Sequence, residues 1–176
     1  NLSKQPPVRG SYDSVSPMGL VWSMTPAGNA VAYLRPQNQP AQTIEFRLLR
    51  NGRQASTARL QQVRAGQGLR PVRLTGPLHG FLFLPEGDGP FPGVLVVGGS
   101  EGGVPIPRAL WLASHGFAAV ALAYFRYENL PPNLESIPLE YFQTALRWMA
   151  QQPDIIAGRI GVMGTSRGGE LALQLG

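Results

Sequence analysis

The chain has 176 residues, 15 Lys+Arg against 10 Asp+Glu for a formal charge of +5, 43% hydrophobic residues and 14% charged ones. Length and apolar share fit one domain, or a small domain plus part of another; the 22 glycines have no three-residue period and the charges form no heptads, which excludes collagen and coiled coil. No cysteine is present, so disulfides, thiolate nucleophiles and Cys-based zinc sites are ruled out, and two histidines, His79 and His115, are too few and too far apart for a His-rich metal site.

Up to about residue 75 the chain alternates strand-like runs with Gly, Pro and Asn. These runs are Gly19 to Met24, Val31 to Leu34, Thr43 to Leu49, Ala58 to Val63 and Val72 to Leu74. Asn51-Gly52 between two of them is a strong hairpin signal. This part therefore reads as antiparallel β structure, one sheet or part of a β-sandwich domain.

From Gly80 the pattern becomes strand and helix in turn. Gly80 to Leu84 predicts a strand, and Glu86 to Pro90 a turn-rich loop. Pro92 to Val97 is a continuous apolar run of the kind buried on both faces of a parallel sheet. Arg108 to His115 reads as a helix stopped at Gly116, and Phe117 to Leu122 as a second buried strand. Leu139 to Gln151 is amphipathic, with Trp148 and Met149 on its core side and Pro153 just beyond its end. Ile160 to Met163 predicts a third buried strand, and a further helix starts by Glu170. This order is that of a doubly wound α/β sheet with right-handed crossovers.

The chemistry concentrates in Gly164-Thr165-Ser166-Arg167-Gly168. A G-x-S-x-G between a buried strand and a helix is the context of a nucleophile elbow, where a sharp turn lifts the serine to the end of the sheet. The helix N-terminus beneath it favours developing negative charge. Gly98-Gly99-Ser100-Glu101-Gly102-Gly103 follows an earlier strand, where an oxyanion-hole donor is placed in such folds. The amides of Ser100 or Glu101 and of Arg167 are the candidate donors. Neither a P-loop nor a dinucleotide fingerprint fits this glycine run.

At these residues the chain resembles the acyl-CoA thioesterase and bile acid-CoA:amino acid N-acyltransferase family of α/β hydrolases. The matching stretches are Gly10-Ser11-Tyr12, Pro17-Met18-Gly19-Leu20-Val21-Trp22-Ser23-Met24, Gly80-Phe81-Leu82-Phe83-Leu84-Pro85, Gly98 to Gly103, Ile137-Pro138-Leu139-Glu140-Tyr141-Phe142, and the elbow. The resemblance implies an immunoglobulin-like β domain over 1–76 and the N-terminal half of an α/β-hydrolase domain over 77–176. It further implies hydrolysis of fatty acyl-CoA to free acid and CoA. Acyltransferase members usually present cysteine at the elbow, so Ser166 points to the thioesterase branch.

In this family the triad runs Ser, Asp, His along the chain, yet only 10 residues follow Ser166 and both histidines precede it. The acid and base are therefore expected beyond residue 176, with some β-domain strands before residue 1. The window alone, lacking a general base, is expected to be inactive. His79 and His115 read as structural or surface groups. Glu135 is expected in a solvated loop, Glu140 in the first turn of a helix and Glu170 as a helix residue. Arg108 and Arg126 are candidates for the phosphates of CoA against ordinary surface charge.

The sequence leaves two rival functions: a carboxylic-ester or lactone hydrolase of the dienelactone type, and a non-catalytic binding module. The arginines are scattered, with Lys4 the only lysine, and do not interleave with aromatics, so no nucleic-acid partner is expected. No run approaches 18 apolar residues, so no membrane span is predicted. No cofactor or metal is expected, and a cytoplasmic location is.

Overall fold

The structure is a computed structural model, which describes residues 4–8, 12–25, 41–63 and 65–176. It divides into two compact units, Asn1–Gln37 and Asn38–Gly176. The predicted run Val31 to Leu34 lies outside the described residues.

In the first unit the run read as a strand at Gly19 to Met24 is instead a short helix, α1 (Gly19–Trp22). Pro17-Met18 turns the chain, so that the Val21 and Trp22 amides donate back to the Met18 carbonyl at 2.8 and 3.2 Å. The Trp22 indole N–H donates to Ser16 Oγ at 3.2 Å and its ring packs on Tyr12. Local bonds and one aromatic contact thus outweigh the strand preference of Val21 and Trp22, as propensity alone is a weak prior.

The second unit opens with a hairpin, β1 (Ala41–Arg50) and β2 (Arg53–Val63), paired antiparallel with a register shift at Leu48/Leu49. Its turn is Asn51-Gly52, both at positive φ (52° and 74°), as a two-residue hairpin turn that follows the strands' twist requires. Glu45 on β1 accepts from Arg47 and from Arg59 of β2.

The remaining strands form one five-stranded sheet in the order β3-β4-β6-β5-β7, made of β3 (Arg70–Arg73), β4 (His79–Leu84), β5 (Phe91–Val97), β6 (Ala118–Ala123) and β7 (Ile155–Gly164). β3 and β4 are antiparallel to their neighbours, while β6, β5 and β7 are parallel. β3, read from sequence as the last run of the β-rich part, is thus the edge strand of this sheet. The crossovers are α2 (Ile106–Ala113) between β5 and β6, and α3 (Leu139–Ala150) between β6 and β7; α4 (Arg167–Leu175) follows β7. Strand, helix and strand alternating in this order make a doubly wound α/β sheet, as the sequence pattern predicts.

Alternation along each strand sorts the core into two layers. Leu95, Val97, Val120 and Leu122 face Phe142, Ala145 and Met149 of α3. Val96, Ala119 and Ala121 face Ala109, Leu112 and Ala113 of α2. Every residue of β6 is fully buried. β7 pairs with β5, and among the described residues Ile155 is its one buried residue. Among the described residues, no helix is long and apolar enough to cross a membrane.

Candidate active site

Ser166 stands where β7 ends and α4 begins, at φ 55° and ψ −123°. An L-residue is rarely found there, and such strain persists where the surroundings over-determine it. Those surroundings are glycines. A Cβ at Gly164 would overlap the Gly168 carbonyl, and one at Gly168 would overlap the Gly98 carbonyl oxygen. The turn is closed by Gly168 N–H donating to Thr165 O at 2.9 Å and Gly169 N–H to Ser166 O at 2.8 Å. Ser166 is exposed and its hydroxyl does not cap α4. Arg167, first in the helix, has an amide with no intrahelical acceptor.

The 98–103 loop, at the end of β5, lies directly against this elbow. A Cβ on Gly99 would come within 2.9 Å of Thr165 O and 3.0 Å of Ser166 Cβ. Gly102 N–H donates to Gly99 O at 3.2 Å, so Ser100 and Glu101 are the corners of a tight turn and their amides take no part in closing it. The three amides singled out from sequence, those of Ser100, Glu101 and Arg167, therefore sit on two adjoining loops.

A residue that sequence reading missed holds this loop. Buried Tyr124, just past β6, donates its hydroxyl to Gly98 O at 2.7 Å. Burial, reinforced by the Glu101 carboxylate, pushes its phenol upward from the usual range. The Gly103 amide donates to Phe125 O at 3.0 Å, a second tie to the same segment. An aromatic directly after a buried strand was the available signal. Beside Tyr124 a groove of about 340 Å³ runs between Leu134, Ile137 and Phe142 on one side and Arg167 and Leu171 on the other.

The histidines lie elsewhere. His79 pairs through Nδ1 with Glu128 at 2.8 Å, and Glu128 also takes Arg73. His115 bonds the Trp111 carbonyl at 2.7 Å and its ring packs on Trp111. Glu135 and Glu140 are exposed, in a loop and in the first turn of α3, and Glu170 pairs with Arg167 at 2.8 Å. Met149 is fully buried and Trp148 packs against the same core. Arg108 reaches Glu101 at 3.9 Å, and Arg126 lies against Gly102. Among the described residues no group of three or more His, Cys, Asp and Glu could hold a metal ion.

Two family profiles match the chain: "Acyl-CoA thioester hydrolase/BAAT N-terminal region" over residues 1–75 and "BAAT / Acyl-CoA thioester hydrolase C terminal" over 137–176. The chain belongs to this family. Acyl-coenzyme A thioesterase 6 of Homo sapiens is 37% identical over 183 residues, covering 99% of this chain and 43% of that protein. The mitochondrial acyl-coenzyme A thioesterase 2 of Homo sapiens is 36% identical over 182 residues, covering 99% and 38%. The chain thus spans less than half the length of these thioester hydrolase relatives. Among solved structures, a dienelactone hydrolase-like promiscuous phosphotriesterase from metagenomic libraries aligns at a TM-score of 0.48 with 26% identity, over 61% of this chain and 52% of that one.

Proposed function

We propose that the protein hydrolyses fatty acyl-CoA to free acid and CoA with Ser166 as nucleophile. The observation that carries this reading is the backbone of Ser166, an exposed serine held at φ 55° and ψ −123° at a helix N-terminus, with Gly99 of the neighbouring loop against it. In this reading Ser166 Oγ attacks the thioester carbonyl carbon and gives its proton to a histidine beyond residue 176, itself oriented by an Asp. Amides of Arg167 and of the Ser100/Glu101 turn receive the oxyanion. Collapse of the tetrahedral intermediate breaks the C–S bond, and the thiolate leaves with the histidine's proton. Water, deprotonated by the same histidine, then releases the fatty acid and restores the serine. The substrate class is supported by relatives that are themselves acyl-CoA thioesterases. We also propose the division into a β domain and a catalytic α/β domain, with the boundary expected at 76/77 moved to before Arg70 because β3 pairs with β4 in the α/β sheet.

In the complete protein, Ser166→Ala should lower palmitoyl-CoA turnover by about 10⁴-fold or more while the cooperative thermal transition persists. Turnover at the wild-type rate would overturn the assignment. Faster turnover of p-nitrophenyl esters than of palmitoyl-CoA would move the substrate to carboxylic esters.

A further inference from the structure

We propose that Arg126 is the anchor for a phosphate group on the CoA half of the substrate, an inference that rests on the acyl-CoA reading above. At this end of the sheet three other arginines have carboxylate partners: Arg73 with Glu128, Arg108 with Glu101, and Arg167 with Glu170. Arg126 has none among the described residues. It is nevertheless held in place. Its amide donates to Pro131 O at 2.8 Å and its Nε–H to Pro132 O at 3.2 Å, so the loop closes on itself around this residue. The guanidinium lies 5.8 Å from the Phe125 ring centroid, a cation–π distance.

The backbone at Arg126 has φ 50°, a conformation that costs free energy for a residue with a Cβ. The same segment holds the oxyanion loop, since a Cβ on Gly102 would stand 2.8 Å from Arg126 Cβ. The result is an uncompensated, exposed and oriented cation beside the loop that faces Ser166. Using Nε on Pro132 leaves four N–H donors on the two Nη groups, arranged for bidentate contact with a phosphate. Lysine in its place would supply charge without that fork.

The test is calorimetric titration of the complete protein with CoA and with pantetheine, which carries no phosphate. Wild-type protein should prefer CoA, and the preference should weaken as salt rises. Arg126→Gln should reduce the preference about tenfold, Arg126→Lys should restore part of it, and Arg159→Gln, which removes an equal charge from exposed β7, should leave it unchanged. A wild-type preference that is absent or insensitive to salt, or an Arg126→Gln protein that keeps it, would overturn the proposal. Because the readout is binding, a protein that fails to hydrolyse palmitoyl-CoA yet binds CoA through Arg126 would sink the thioesterase reading and leave the anchor standing.

Discussion

A methyl group at Gly168 would overlap the carbonyl oxygen of Gly98, so the elbow and the loop facing it touch backbone to backbone. That oxygen is already taken by the Tyr124 hydroxyl, so it has little room to retreat. Gly168→Ala in the complete protein should therefore cost about 2 kcal/mol or more of stability through overpacking. Turnover should fall with it if the proposed roles hold, because Ser166 and the amides proposed to receive the oxyanion would be pushed apart. Chemical denaturation and steady-state kinetics read both effects, and an unchanged denaturation midpoint would sink the argument.

Tyr124→Phe removes one hydroxyl and leaves the buried Gly98 carbonyl without that partner. The expected loss is about 1–2 kcal/mol, with a fall in kcat that exceeds any rise in KM, since the loop and not the substrate is loosened. The pH dependence of stability carries a further mark. Burial holds the phenols of Tyr124 and Tyr141 above the usual 10.0. A raised folded value means their contribution is complete below the unfolded pKa and is lost as pH rises past about 10 toward the folded one. Wild-type protein should thus lose stability in alkali more steeply than the Phe variant.

Acid should act through Glu128. The His79 hydrogen bond, aided by Arg73, holds this carboxyl below the usual 4.5. A depressed folded value contributes stability above the unfolded pKa, and this is lost as pH falls from about 4.5 through the lower folded one. Urea midpoints measured between pH 6 and pH 2 should show a shallower acid decline for Glu128→Gln than for wild type; parallel curves would count against the His79–Glu128–Arg73 cluster as the source.

Much of the α/β half was legible from sequence because its signals are local. Apolar runs such as Pro92 to Val97 can only be buried strands in this context, and Asn51-Gly52 dictates its own turn. The strand-then-helix setting of Gly164 to Gly168 located the elbow for the same reason. What sequence could not show depends on contacts between distant segments. α1 forms because Tyr12 and Ser16 meet Trp22. β3 joins the α/β sheet because Arg70 to Arg73 finds β4 as a partner. Tyr124 and Arg126 meet the Gly98 to Gly103 loop across more than twenty residues of chain, a relation that no motif spacing encodes.

The all-buried central strand has a consequence for how such a protein can vary. Four of the six residues of β6 are alanine, and each lies at 0% exposure between the two helical layers. Larger side chains there would strain both layers at once, so the middle of the sheet is closed to change. Room for divergence in substrate lies instead in the loops that leave β5, β6 and β7 at one end. These carry the serine, the facing glycine turn and Arg126 on a platform that need not be altered to retune them.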